Sequence, residues 1–203
     1  MPRAVGQIDR AKSEAMLDAA AQVIAEQGVT APVATIARRA GVSKQTLYNH
    51  FGGKAGLIQV LILRRVDEFT APLTDPGGKT APEAALTAFA RGLMPALLAD
   101  SYLTLLRVAI QSAADIPDLA RTVYETGSQA TRTRLVAYLR AETRAGRLAA
   151  DDAEAAADLF IGMLAARQVG GLIGRPAKIG DEDLAARCAD IAHRFVRAYA
   201  PDG

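Results

Sequence analysis

The 203-residue chain is 50% hydrophobic and 23% charged, with a formal net charge of +2; this balance excludes a disordered protein and leaves ample length to bury a core. Its lone cysteine, Cys188, excludes an internal disulfide framework and a multi-cysteine metal site, and no apolar run approaches the ~20 residues of a membrane span. Many Ala, Leu and Arg residues, few aromatics and no Trp favour helices over sheets, so the expectation is an all-α protein, soluble, cytoplasmic and free of any membrane.

Residues 1–9 lack periodicity and are expected to form a mobile arm. Leu17, Ala20, Ala21 and Ile24 then recur at helical spacing over 12–27, with Gly28 as the stop. A short helix over 33–40, a turn at Gly41 and Val42, and a third helix over 43–50 with Ser43 as N-cap follow. Gly52 and Gly53 precede a fourth helix over 54–69 carrying Leu57, Ile58, Leu61 and Ile62. Pro72, Asp75, Pro76, Gly77 and Gly78 mark a linker.

Thr80 and Glu83 have capping-box spacing for a fifth helix, with Pro82 in its first turn and Pro95 as a kink near its end. An apolar helix is expected over 101–113, and after Ile116 and Pro117 a long one running to Ala145 and stopped by Gly146. Asp151 and Glu154 cap a helix over 151–173, a loop carries Gly174, Pro176 and Gly180, and Asp181, Glu182 and Asp183 open the last helix against its dipole. The total is about nine helices, divided as 1–53, a small head; 54–79, a connecting helix and linker; and 80–203, a larger body.

Charge is uneven along the chain. Residues 1–66 hold nine Lys or Arg against four Asp or Glu, a net of +5, whereas the remainder holds 15 against 18. A basic head on a mildly acidic body suits a phosphate-binding module joined to a domain with another task.

Ala37, Gly41 and Leu47 have the spacing of a helix-turn-helix. Ala37 lets two helices cross closely, Gly41 can take a positive φ, and Ile36, Ala40, Val42 and Leu47 fix the interhelix angle. Ser43, Lys44, Gln45, Thr46, Tyr48 and Asn49 are left outside on a helix about 12 Å long, a match for a major groove about 12 Å wide. The run from Ile36 to Leu57, Ile-Ala-Arg-Arg-Ala-Gly-Val-Ser-Lys-Gln-Thr-Leu-Tyr-Asn-His-Phe-Gly-Gly-Lys-Ala-Gly-Leu, strongly resembles the DNA-binding signature of the TetR (tetracycline-repressor-like) family. The likeness spans roughly residues 10–65, and Arg107 through Leu148 resembles the C-terminal domain of AefR-like members. Two positions depart from the family pattern: Pro32 stands where a Ser or Thr usually caps the second helix, and Ile24 where an aromatic often sits.

The resemblance implies a transcriptional regulator, by default a repressor, that binds a two-fold symmetric double-stranded DNA operator as a homodimer. Gln45, Thr46 and Tyr48 would face base edges, and Lys44 would reach a guanine or a phosphate. Asn49, His50, Lys54 and Thr35 would hold the DNA backbone, with Arg38 a weaker contact.

The body is expected to dimerise and to sense a small molecule. Leu184, Cys188, Ile191, Phe195 and Tyr199 form one apolar stripe of the last helix, and Gly162, Ala166 and Gly170 recur every fourth residue in the helix before it; either they form half of a four-helix dimer seam or they pack inside one subunit. Cys188 in such a stripe reads as a structural thiol. For an unidentified effector, Phe89, Met94, Leu98, Tyr102, Leu105, Val108, Phe160 and Met163 are candidate cavity residues, with Arg107, Gln111, Tyr124, Arg167 and Gln168 as polar contacts. Effector binding would move the fourth helix and change the separation of two recognition helices that must fit groove faces about 34 to 36 Å apart.

Two rival classes remain. An enzyme is poorly supported: the histidines are His50 and His193, without metal-ligand spacing, and no phosphate-binding Gly-rich loop occurs, so no catalytic residue, metal or cofactor is assigned. An interaction module that has lost DNA binding would not need Lys44, Thr46, Tyr48, His50 and Lys54.

Overall fold

In the computed structural model the described residues are 5–28, 30–111, 113–114, 117–175 and 179–201. Expectations placed on residues 1–4, Ile116 and Pro176 lie outside them. All regular structure among the described residues is helical: α1 (Val5–Gln27), α2 (Val33–Arg39), α3 (Lys44–Phe51), α4 (Lys54–Thr70), α5 (Pro82–Leu98), α6 (Asp100–Gln111), α7 (Pro117–Val123), α8 (Ala130–Arg144), α9 (Ala153–Ala165), α10 (Gln168–Leu172) and α11 (Asp181–Ala198).

Three hydrophobic clusters organise these helices. The first, in the head, joins Leu17, Ala20 and Val23 of α1 to Val33, Ile36 and Ala37 of α2, Leu47 of α3 and Leu57 of α4. The second is the large core of the body and runs from Val66 of α4 to Phe195 of α11. The third is small: Ile58 of α4 meets Leu105 and Ala109 of α6 and Val123 of α7. Successive turns of α4 therefore enter all three, because a helix turns its side chains by about 100° per residue and α4 is surrounded on several sides.

An aromatic ladder fills the middle of the body. Phe69 meets Phe89, Phe89 stacks on Phe160 at 6.0 Å, Phe160 meets Phe195 edge-on at 4.9 Å, and Tyr199 closes the row. Each ring removes a large apolar area from water, and tilted contacts add ring-quadrupole attraction. Gly92 lets α5 pass closely over α4, since a Cβ there would lie 2.5 Å from that of Phe69.

Several boundaries differ from those read in the sequence. α1 is already under way at Val5, so residues 5–9 of the expected arm are helical. Thr80 does not cap α5; the N-cap is Ala81, and Glu83 instead lies 3.2 Å from Nδ1 of His193 on α11. Pro95 is inside α5, which continues to Leu98 before a 60° bend at Ala99 leads into α6. Asp152, not Asp151, caps α9, its carboxylate accepting from the Ala155 N–H at 2.9 Å. Glu154 pairs across to Arg140.

Two expected single helices are interrupted. The long helix after Pro117 contains a π turn over Tyr124–Gln129, where the Thr131 hydroxyl donates to the Gly127 carbonyl at 2.7 Å and Gly127 packs towards Ile62 of α4. Insertions of this kind let a helix stay continuous while its face rotates. The helix expected over 151–173 breaks at Ala166 and Arg167, so α9 and α10 are separate; Gly170 and Gly171 give the second piece little intrinsic preference for continuing the first.

The linker after α4 is fastened from the body. Glu142 is fully buried, yet its carboxylate accepts from the Gly77 N–H at 2.9 Å and from both Nε and an Nη of Arg147 at 2.6 and 2.7 Å, while Arg147 also donates to the Gly78 carbonyl. Arg134 of α8 adds a second tie to α4 through Thr70 at 2.7 Å and Asp67.

A candidate DNA-binding face and a junction cavity

α2 and α3 meet as a helix-turn-helix. Ile36 and Ala37 are buried between them, Leu47 is 0% exposed, and Gly41 has φ +65°, a value an L side chain rarely adopts. The turn is closed by the Val42 N–H donating to the Ala37 carbonyl at 3.0 Å. Ser43 caps α3 as expected, its hydroxyl accepting from the Thr46 N–H at 3.0 Å. Pro32 approaches α2 in an extended conformation and provides no side-chain cap; its carbonyl accepts the Thr35 N–H.

The buried Leu47 turns the polar side of α3 outward. Lys44, Gln45, Tyr48, Asn49 and His50 are exposed, and Thr46 and Thr35 are half-buried. These side chains are pre-arranged by mutual contacts. Gln45 donates to Asn49 at 2.7 Å, the Lys44 ammonium lies 5.7 Å from the centre of the Tyr48 ring, and the hydroxyls of Ser43 and Thr46 share a 2.8 Å hydrogen bond. Tyr48 lies across Gly53, whose added Cβ would meet the ring at 3.3 Å. His50 packs edge-on against Phe51.

Lys54 stands in the first turn of α4, beside the end of α3. Partial burial holds its ammonium below the ordinary lysine value, and a phosphate alongside would offset that desolvation of its charge. The first turn of α4 is pressed against α3: a Cβ on Gly56 would sit 1.9 Å from the Phe51 carbonyl oxygen. Sequence periodicity had no signal for that contact.

Two clamps around this face were missed in the sequence because they join residues distant in the chain. Arg39 of α2 forms a two-pronged pair with Glu26 of α1 at 2.8 and 2.7 Å, which lowers the Glu26 pKa through hydrogen bonding and charge. Arg64 of α4 reaches Asp18 of α1 at 2.7 Å and Glu14 at 3.5 Å. Arg38, by contrast, is exposed beside the face.

Comparison with known proteins identifies this arrangement. Residues 16–61 match a family model described as bacterial regulatory proteins, tetR family, and residues 84–201 match one described as the AefR-like transcriptional repressor C-terminal domain. The chain belongs to the TetR family of transcriptional regulators. A TetR-family protein from Mesorhizobium loti is 24% identical with a TM-score of 0.74, covering 94% of this chain and 98% of its own. The flavonoid-responsive regulator FrrA is 28% identical (TM-score 0.64; 95% and 98% covered), and a TetR regulator from Agrobacterium tumefaciens 27% (TM-score 0.68; 94% and 95%).

In this TetR-family chain the ligand candidates read from the sequence are spread over several surroundings. Phe89, Met94, Leu98 and Phe160 are buried members of the solid body core, and Met163 packs against it. Val108 belongs to the small third cluster, whereas Gln111, Tyr124 and Arg167 are exposed and Arg107 and Gln168 half-buried. Tyr102 and Leu105 do line a cavity of about 510 Å³, but it lies between head and body: Ala21 and Ile24 of α1, Leu61 of α4, Ala99 at the bend and Ser128 of the π turn share its wall. Two of the residues read as cavity candidates, Phe89 and Phe160, are members of the aromatic ladder. Burial periodicity cannot separate a core residue from a cavity wall, since both are apolar and face inward.

The apolar stripe of α11 is likewise internal. Cys188, Ile191 and Phe195 are buried against the body core, with Leu184 and Tyr199 packed beside them, because α11 lies along α5. Within one chain these residues pack inward, three of them fully and Leu184 and Tyr199 in part, and burial raises the Cys188 thiol pKa. Gly162 and Ala166 are exposed and Gly170 half-buried; Leu159, Val169 and Ile173 on the same stretch are 59%, 69% and 73% exposed. Among the described residues no single helix is long and apolar enough to cross a membrane, and no cluster of His, Cys, Asp or Glu could hold a metal ion.

Proposed function

We propose that this regulator is a cytoplasmic repressor that grips a two-fold symmetric operator as a homodimer and releases it when a small molecule binds. The observation that carries the DNA reading is the presentation of α3: Leu47 is wholly buried behind it while Lys44, Gln45, Tyr48, Asn49 and His50 face out. In this reading α3 enters the major groove, Gln45, Thr46 and Tyr48 meet base edges, and Lys44 reaches a guanine or phosphate. Thr35, Asn49, His50 and Lys54 hold the backbone, supported by the N-terminus of α4.

Dimerisation is assigned to the α9–α10 face, where Leu159, Val169 and Ile173 surround the small residues Gly162, Ala166 and Gly170. Exposed apolar side chains grouped around small residues allow close packing of a second copy. The charged side of α11, with Asp183, Arg187, Asp190, Arg194 and Arg197 exposed, would border it. Residues 1–53 would act as the reading unit, 54–79 as connector and 80–203 as the sensing and dimerising body. The effector site is the junction cavity, through Tyr102 and Leu105, and α4 carries its occupancy to the head because it belongs to all three clusters.

Selection of bound sequences from a random DNA pool tests the proposal. An enriched site with two-fold symmetry is expected. Failure to enrich any sequence, with the protein folded, overturns it and leaves the α3 face to a different partner.

A further inference from the structure

Resting on the reading of the junction cavity as the effector site, we infer that its ligand is an uncharged, mainly apolar molecule bearing a few hydroxyl or carbonyl oxygens, and that the DNA-reading head itself forms one wall of the site.

The charge argument comes from the three ionised side chains on the wall. Arg64 is paired with Asp18 at 2.7 Å, Arg65 with Glu68 at 2.8 Å, and Glu68 also lies 3.5 Å from Arg64. Each charge already has an ion-pair partner, so a charged ligand would find no uncompensated charge on the wall and would give up its own hydration against a mostly apolar surface, which costs free energy. The other polar side chains are hydroxyls, those of Ser101, Tyr102, Ser128 and Thr131. Hydroxyls can serve either a donor or an acceptor on the ligand without a net charge. A volume of about 510 Å³ falls within the ~300–1,000 Å³ of small-molecule sites.

The head argument comes from α1. Ala21, Ile24 and Ala25 line the cavity, while Ala20 and Val23 on the adjoining side of that helix are buried in the head core with α2 and α3. Residues 21, 24 and 25 are spaced by three and four and share one side of α1, with Ile24, four residues after Ala20, at its border with the buried side. A molecule in the cavity therefore presses directly on the helix that supports the helix-turn-helix. It does not depend on α4 alone to reach the head.

Two fluorescent probes with one carbon skeleton test the inference: N-phenyl-1-naphthylamine, which is neutral, and 8-anilinonaphthalene-1-sulfonate, which adds a fixed negative charge. The folded full-length protein should bind the neutral probe at one site per chain, at least ~10-fold more tightly than the sulfonate, a difference of about 1.4 kcal/mol. Ala25→Trp should fill the cavity and weaken the neutral probe at least ~10-fold, whereas Gln22→Trp, on an exposed α1 position off the wall, should leave it unchanged. Where Ala25→Trp lowers the melting temperature too far to measure, Ala21→Leu makes the same test with a smaller side chain. Equal or tighter binding of the sulfonate overturns the charge argument, and equal effects of the Gln22 and Ala25 variants, or none from Ala21 and Ala25, overturn the α1 wall. Probe binding is measured without DNA, so failure of operator selection would sink the regulator reading and leave this result standing.

Discussion

Ser43, Thr46 and Leu47 occupy consecutive roles within one turn of α3: a cap, a hydroxyl held by that cap, and a buried anchor. Ser43→Ala removes the acceptor for the Thr46 N–H and should cost about 1 kcal/mol, read by denaturant unfolding. For DNA the residues divide by contact type. Lys54→Ala should weaken binding to all sequences and lower the salt slope by about 1, whereas Gln45→Ala should relax preference at particular base pairs by about 1–3 kcal/mol in competition assays. In the body, Glu142→Ala leaves Arg147 and the Gly77 N–H without their partner and should destabilise by about 3–5 kcal/mol in the same unfolding assay.

Glu142 also sets a pH dependence. Burial by itself raises its pKa, but the hydrogen bonds from Arg147 and Gly77 and the Arg147 charge outweigh burial and leave it lowered from 4.5. A carboxylate with a depressed folded-state value stabilises fully above its unfolded pKa, and that contribution disappears as pH falls through the folded value. Unfolding followed below pH 4.5 should show stability falling in wild type more steeply than in Glu142→Gln. Equal slopes would assign acid sensitivity to other carboxylates.

At the scale of elements α4 is decisive, since among the described residues it alone contributes to the head core, the junction and the body core. Gly56→Ala places a methyl carbon against the Phe51 carbonyl, and relieving that clash should cost at least ~1–3 kcal/mol and tilt α3 away from its bearing on α4. Lower thermal stability together with weaker DNA binding is the expected pair of results. Most helices were legible from their own residues: α2, α3 and α4 begin and end within one or two positions of the expected ones because Gly41, Ser43, Gly52 and Gly53 impose local conformations. The π turn at 124–129 and the break at Ala166 were not, because they answer to contacts with α4 and to the packing of α10 against α6.

For the whole molecule, the consequential step is from one chain to two. Val169→Asp with Ile173→Asp would place two carboxylates in the proposed seam, so sedimentation should find a monomer and operator affinity should fall sharply with the helical content unchanged. A persistent dimer would move the seam elsewhere. The expected seam and the expected pocket residues share one property. Cys188, Ile191, Phe195 and the Phe89–Phe160 pair, read as seam or cavity candidates, are buried in the core of their own chain, and Leu184 packs against it.

The sequence by itself determined the all-helical class, the helix-turn-helix and the outward identity of α3, since capping, turn geometry and amphipathic spacing act over a few residues. Tertiary structure alone decided that the cavity lies at the junction and that the α11 stripe faces inward. An apolar side chain records only that it avoids water, and which neighbour accepts it depends on helices brought together from distant parts of the chain.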